Sequence, residues 1–505
     1  MNPAGINLTL AEFEKLAAPG QVIPVIKTLF NGGETPLAAY EKLAKGKYSF
    51  LLESAENGIW SRYSFVGVAS RGVLLQQNDI ARWHSEHNAL PDGSPLAPEA
   101  LVALEMLQRS WRSAEIANLP PLVSGMVGAM GWELIREIED LPPQRPADFE
   151  SPTMCMAQVS ELVIFDHETS ELLLVANSYV EVDFDSVALY QHALEAIEQL
   201  QERLSLASRA AIAERSEAVD EQAKSRLTKP EFIESILAAK EHVRVGDVFQ
   251  VVLSQRFDAA CSASPIDIYR SLRAFNPSPY MYLLSFEDEV GPFAFVGSSP
   301  EALVKVQSGT ATMHPIAGSR PRSANPEIDA ANATELLADP KERAEHLMLV
   351  DLARNDLLKV CEAKSVAVTE FMAIERFSHI MHLVSSVEGT VLEKCSTVDV
   401  FKATFPAGTL SGAPKPRALE IITELEPTSR GLYGGVVGYF DFAGNADLAI
   451  AIRSAFVRDG IARVQAGAGI VLDSNPDSEH AETISKSASA LRAIDIANSL
   501  KPIGS

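Results

Sequence analysis

A chain of 505 residues with a formal charge of -24 is poorly suited to nucleic acid or to an anionic membrane surface, since attraction to phosphates needs an excess of Lys and Arg. Its 47% hydrophobic and 22% charged residues supply packed interiors and argue against global disorder, and the length predicts two domains. An acidic protein still binds an acidic metabolite if a cation or a few Arg and Lys side chains reverse the sign inside one pocket.

Cys155, Cys261, Cys361 and Cys395 lie far apart. They form neither a disulfide framework nor a C-x-x-C pair, which fits a reducing compartment. There is no basic segment followed by an apolar run at the start, and no apolar stretch approaches the ~20 residues of a membrane-spanning helix. The expected location is the cytoplasm, with no membrane and no nucleic-acid partner.

In chain order, residues 48–179 alternate short apolar runs, such as 122–130 and 172–175, with turn formers, and read as strands. Helical patterning follows from about Val187, and residues 203–229, rich in Ala, Ser, Glu and Arg without an apolar stripe, read as a surface helix or linker. Residues 229–244 predict a helix, with Phe232, Ile233, Ile236, Leu237 and Val243 near a 3.6-residue period, and residues 248–257 predict a strand. The boundaries expected are an N-terminal domain over 1–215 and a C-terminal one over 228–505.

Asp339, Pro340 and Glu342 form a helix start: a capping Asp, Pro in the first position, and Glu three residues after the cap. On the helix that follows, running towards Cys361, Glu342 and Glu345 share a face with Leu349 and Leu352, placing carboxylates in line with core-facing residues. A second helix is expected after Asn475 and Pro476, carrying Glu479, Glu482 and Lys486 on one side. Four carboxylates brought around one cavity suit a hard divalent cation, and Mg2+ takes such oxygen ligands while keeping waters that a substrate displaces. Glu pairs at this spacing also occur as an ordinary solvated helix face.

The small-residue run 466–469, with Gly467 and Gly469, exposes backbone amides that can approach a carboxylate, although such runs also serve tight strand packing. Arg453 lies in an apolar stretch, 448–456, read as one strand; its guanidinium needs a partner there, either a substrate carboxylate or an internal Asp or Glu. His382 sits among apolar neighbours in 380–384, where a hydrogen-bonded core role competes with a catalytic one. From residues alone the reading stops at a metal-assisted site for an acidic small molecule.

Five stretches, in order, resemble the chorismate-utilising enzymes: PIAGSRPR at 315–322, ERAEHLMLVDLARND at 342–356, FSHIMHLVSSVEG at 377–389, FPAGTLSGAPKPRA at 405–418 and AGAGIVLDSNPDSEHAETISK at 466–486. The resemblance covers residues 229–494 almost without interruption. It implies an α+β fold in which helices cover two packed, largely antiparallel sheets, with an N-terminal regulatory region interwoven with the catalytic domain. It implies that Glu345 and Glu482 hold Mg2+ with Glu342 and Glu479 nearby, and that Tyr433, Arg453, Gly467, Gly469 and Lys486 bind the carboxylates of chorismate. Gly318, Ser319 and Thr409 would contact the ring end; Ser319 departs from the commoner Thr but keeps the hydroxyl. Glu301 would protonate the departing 4-hydroxyl, and His382 would assist the loss of pyruvate.

Two positions separate the branches of the family. Gln250 stands where the water-activating branch carries a Lys, and a neutral amide is no base; Ala317 stands where another branch commonly has a nucleophilic Lys. Ammonia attack at ring carbon 2 is left, which resembles the anthranilate synthase large subunits at the entry to tryptophan biosynthesis. The alternatives are an aminodeoxychorismate synthase, a synthase that stops at the amino intermediate, and an inactive tryptophan-binding protein. Leu51 to Ser54, with Leu52, Glu53 and Ser54, and the stretch 276–281, with Asn276, Pro279, Tyr280 and Met281, resemble the two halves of the family's tryptophan pocket and imply feedback inhibition. No Cys lies in a nucleophile-elbow setting, so ammonia is expected from a separate glutamine amidotransferase subunit, in a heterotetramer of two large and two small subunits.

Overall fold

A computed structural model describes residues 5–44, 46–54, 62–207, 213–216, 223–376 and 380–502. Two long strands, Tyr63–Gln77 and Met154–Asp166, pair along their length through register shifts between Gly67 and Gly72. Such shifts bend and twist a strand, so each strand serves two sheets. The first half of Tyr63–Gln77 pairs with Ser49–Glu53 and its second half with Ile80–His84. The end of Met154–Asp166 pairs with Glu171–Tyr179 and its beginning with Gly125–Met130.

From this branch point one sheet runs through Ser49–Glu53, Tyr280–Glu287, Pro292–Ser299, Ser454–Arg458 and Ile461–Ile470 to Gln250–Ala260. The other runs through Gly125–Met130, Val436–Asp441, Ala446–Ile450, Ala302–Gln307 and Thr310–Met313 to Ile380–Thr390, which also pairs with Ile316–Pro321. Among the described strands, all pairs are antiparallel except a two-residue one between Gln21–Phe30 and Arg112–Ser113. The α+β fold with two packed antiparallel sheets is therefore present, and in both sheets strands from the first half of the chain pair with strands from the second.

Alternation along the strands explains the layers. In Tyr280–Glu287, Tyr282, Leu284 and Phe286 enter a core with Phe293, Phe295, Val127 and Val437, contributed by both sheets. Their neighbours Met281 and Leu283 point the other way, into a core with Tyr269, Ile494 and Ile197 of the covering helices. A period of two on a pleated strand produces both faces. No helix among the described residues is long and apolar enough to cross a membrane.

Both site helices begin where the caps predict. Asp339 accepts the amides of Lys341 and Glu342 ahead of Pro340–Leu358, and Asn475 accepts that of Ser478 ahead of Pro476–Asn498. Other expectations change. Of the two readings of 203–229, surface helix or linker, a single helix is excluded: Ser186–Ser205 ends there, Ala213–Arg215 pairs with Leu500–Pro502, and 208–212 and 217–222 lie outside the described residues. In Lys229–Val245 the buried stripe is Phe232, Ile236 and Ala239, and Leu237 is 54% exposed, because Leu237 follows Ile236 by 100° around the helix. The helices Leu10–Leu16, Pro36–Leu43 and Ala100–Ser110 were not anticipated in a half read mainly as strand.

Candidate active site

The site is built on Ile461–Ile470, whose ten-residue pairing with Gln250–Ala260 sets Gly467 opposite Ser254 and Gly469 opposite Val252. Both glycines leave room for close neighbours. A Cβ on Gly467 would stand 3.0 Å from the Leu253 carbonyl oxygen and 3.1 Å from the Tyr433 Oη, and one on Gly469 would stand 2.5 Å from the Gln250 Nε2. The glycines thus let the buried Tyr433 and Gln250 side chains lie against the strand.

A turn leads from this strand into Pro476–Asn498, which packs back against it. Lys486 reaches across: its Nζ donates to the Gly467 carbonyl at 3.0 Å and pairs with Glu482 at 2.6 Å. The stretch around Arg453 is not one strand, as the apolar pattern suggested. It breaks into Ala446–Ile450 and Ser454–Arg458, with Arg453 between them at a φ of 53°. This left-handed conformation is costly for a side chain with a Cβ, and it accompanies a guanidinium that donates to the Lys486 carbonyl at 2.8 Å. Burial lowers the Arg453 pKa, while the Glu482 carboxylate favours its charge. Burial also pushes the Tyr433 phenol up to about 12, so it is a neutral group with a proton to donate at pH 7. Arg453, Lys486 and Tyr433 together form an anion-seeking floor.

On the opposite wall Ser319 pairs with His382 across the strands Ile316–Pro321 and Ile380–Thr390. Gly318, at a φ of 74°, turns its carbonyl to the His382 Nδ1 at 3.0 Å. A carbonyl only accepts, so this bond places the imidazole proton on Nδ1. Burial, then the nearby Arg453 charge, lower the His382 pKa and keep the ring neutral near pH 7. The motif containing His382 begins at Phe377, Ser378 and His379, which lie outside the described residues.

Pro340–Leu358 packs over these strands, and its Glu345 feels the charge of Glu482 on Pro476–Asn498. Burial raises the Glu345 pKa, followed by the charges of Glu342 and, from the other helix, Glu482. Burial likewise raises that of Glu479, and Glu482 adds to it. The four carboxylates therefore share one electrostatic field. Among the described residues no three His, Cys, Asp or Glu side chains converge tightly enough to hold an ion as they stand. Glu482 is instead neutralised by Lys486, and Glu342 lies 3.7 Å from Arg320. The donor chemistry nevertheless fits Mg2+: all four groups are oxygen donors, and burial, with the Glu482 charge added, raises the pKa of both Glu345 and Glu479.

At the far end Glu301 accepts a hydrogen bond from the Thr409 hydroxyl at 3.1 Å. Burial pushes the Glu301 pKa up to about 7, against the opposing effects of Thr409 and Lys486. Lys486 thus acts on both ends of the site. Beside Glu301 and Thr409 lies a cavity walled by His314, Leu349, Leu352 and Ala407.

The two proposed halves of the tryptophan pocket meet along one strand pair, with Met281 opposite Glu53 and Tyr282 opposite Leu52. Glu53 is 6% exposed and accepts bonds from Tyr269 at 2.7 Å and from Arg273 at 2.9 and 2.8 Å. The Ser54 hydroxyl is buried without a hydrogen-bond partner, Asn276 donates to Ser298 at 3.2 Å, and burial, then the nearby Asp447 charge, raise the Tyr280 pKa. Pro279 directly precedes the strand Tyr280–Glu287. Tyr269, Arg273 and Arg320 went unpredicted. The i, i+4 spacing of Tyr269 and Arg273 on Pro265–Phe275 was a signal, but their partner lies 216 and 220 residues away.

Residues 49–492 match the family described as chorismate binding enzyme. The chain is 48% identical over 509 residues to anthranilate synthase component 1 of Arthrobacter globiformis, covering 99% of this chain and 95% of that one. It is 45% identical over 495 residues to the protein of the same name from Mycolicibacterium smegmatis, covering 97% and 94%. Anthranilate synthase component I from Streptococcus pneumoniae TIGR4 superposes with a TM-score of 0.76 at 33% identity, over 92% of this chain and 98% of that one. The menaquinone-specific isochorismate synthase from Escherichia coli, at 17% identity, shares the fold with a TM-score of 0.69 over 95% of each chain. The chain belongs to the chorismate-binding enzyme family, on its anthranilate synthase component 1 branch.

Proposed function

We propose that this chain is a lyase that converts chorismate and ammonia to anthranilate, pyruvate and water, with Mg2+ as its metal. The observation that carries the reading is two groups of opposite polarity, coupled through the Lys486 charge that acts on Glu301. Arg453, Lys486 and Tyr433 offer positive charge and a donor to carboxylates, and Glu301, held near neutrality beside Thr409, offers a proton to a leaving hydroxyl.

Glu345 and Glu482 would hold the ion, with Glu342 and Glu479 nearby; when bound it neutralises the carboxylate cluster and orients the ring carboxylate. Arg453, Lys486, Gly467 and Gly469 fix the carboxylates of chorismate, while Gly318 and Ser319 border the ring. The nitrogen of ammonia bonds to ring carbon 2, the ring double bonds shift, and the 4-hydroxyl departs as water with the Glu301 proton. His382, with its proton on Nδ1, accepts a proton through Nε2 as the ring becomes aromatic and the enolpyruvyl C–O bond breaks. Pyruvate leaves after taking up a proton. Neither Gln250 nor Ala317 supplies a competing base or nucleophile.

Ammonia would come from glutamine through a separate amidotransferase subunit, two of each subunit forming a heterotetramer in the cytoplasm. With ammonium salts, chorismate and Mg2+, the chain alone should yield anthranilate and pyruvate in equal amounts. Formation of p-aminobenzoate, or of an amino intermediate without pyruvate, would assign it to another branch. Tryptophan would bind between the two strand segments around Glu53, linking the regulatory region to the catalytic one. Glu53→Gln removes a charged hydrogen-bond acceptor, so it should raise the tryptophan concentration for half inhibition by roughly 10- to 100-fold with little change in uninhibited rate. An unchanged inhibition curve would exclude Glu53 from that site.

A further inference from the structure

We infer that Arg430 is a positioning residue for this reaction, whose guanidinium holds the turn carrying Thr409 and the strand backing Gly467 and Gly469 in one fixed relation. The inference rests on the roles given above to Thr409 and to these glycines. Arg430 is 2% exposed. Its Nη1 donates to the Leu410 carbonyl at 2.9 Å, and its Nη2 donates to the Val252 carbonyl at 2.9 Å. Leu410 directly follows Thr409 in the turn Gly408–Leu410, and Val252 is the register partner of Gly469.

The rest of the fork is clamped. Nε and Nη2 donate to the two oxygens of Glu426 at 2.9 and 2.7 Å. Glu426 in turn accepts the backbone amide and hydroxyl of Ser254, both at 2.8 Å, and Ser254 is the register partner of Gly467. From the first half of the chain, Trp132 covers the guanidinium at 4.1 Å from its ring centroid. Glu133 accepts the Arg430 backbone amide at 2.8 Å.

One side chain therefore joins the turn carrying Thr409 to the strand behind Gly467 and Gly469, with Trp132 and Glu133 holding it from the first half of the chain. A buried ion pair is weak evidence for stability, because desolvation offsets its Coulombic gain. Its directed donors to two carbonyls give it a geometric use instead. The planar fork matters here, since a Lys ammonium cannot grip a carboxylate in bidentate fashion and two divergent carbonyls at once.

The test is a double-mutant cycle on the full chain with ammonium, chorismate and Mg2+. Arg430→Lys should lower kcat on the order of 10- to 100-fold, the scale of a catalytic group displaced by about 1 Å. In a Thr409→Ala background the same substitution should cost at least threefold less, because one of the two groups it positions is gone and only the effect through the strand behind Gly467 and Gly469 remains. Equal losses in both backgrounds, or no loss in either, would overturn the inference. Should Arg430→Lys fail to fold, Trp132→Leu, which removes the ring but leaves the ion pair, is put through the same cycle with the same two outcomes. An inactive wild-type chain, or Thr409→Ala at the wild-type rate, would instead contradict the functional reading beneath it.

Discussion

Glu345→Gln and Glu482→Gln should each form anthranilate at roughly 10²- to 10³-fold lower rate at saturating chorismate and standard Mg2+, with part of the loss recovered at high Mg2+. The size follows from the several kcal/mol that a bound cation contributes to stabilising developing charge, at 1.36 kcal/mol per factor of ten. Each Gln keeps the shape and removes the charge, so the loss reports charge. The effect should be specific to these two helix faces. Asp477, on the same helix as Glu482, pairs with Lys229 at 2.6 Å on the surface, and an exposed pair of this kind contributes ~0–1 kcal/mol. Asp477→Asn should therefore leave the rate close to wild type, and equal losses at Asp477 and Glu482 would remove the case for a shared ion.

Glu301→Gln carries the second large effect. Loss of a positioned general acid costs about 10²- to 10⁴-fold, and the pH profile should change with it. Glu301 must be protonated to act, and its pKa is pushed up to about 7 by burial. The wild-type kcat should therefore fall as pH rises through about 7, and the variant should lose that limb. Stability should move in the opposite direction. A carboxyl whose folded pKa lies above its unfolded value of 4.5 costs the folded state increasingly as pH rises from about 4.5 to about 7. That cost reaches ~3 kcal/mol at the upper end, by 1.36 kcal/mol per unit. Glu301→Gln should raise the unfolding midpoint at pH 8 and leave it nearly unchanged at pH 4. A variant as active as wild type, with the alkaline limb intact, would assign the proton to another group.

The two carboxylate helices were legible because their signals are local. Asp339 with Pro340, and Asn475 with Pro476, mark helix starts within three residues, and spacings of three and four put the Glu side chains on one face. The family motifs supplied what local patterns lack, namely the expectation that carboxylates of the two helices serve one site, and the charge of Glu482 does act on Glu345. The break at Arg453 was illegible: apolar residues on both sides continue the strand pattern, and a positive φ leaves no trace in composition. The partners of Glu53 and Arg430 were hidden for another reason. Tyr269 and Arg273 lie more than 200 residues from Glu53, and Val252 lies 178 residues from Arg430, so only the sheet topology joins them. Leu237 was misread because one residue of error in helical phase exchanges a buried side chain for an exposed one.

The central claim is that carboxylates from two separate helices share one divalent ion that grips the substrate. Crystals of the chain soaked with Mn2+ and chorismate, examined by anomalous diffraction, test it most directly. The account predicts one peak between Pro340–Leu358 and Pro476–Asn498, with oxygens of Glu345, Glu482 and a chorismate carboxylate in its coordination shell. A peak elsewhere, or chorismate bound at the Arg453 floor with Glu345 and Glu482 turned apart into solvent, would contradict it.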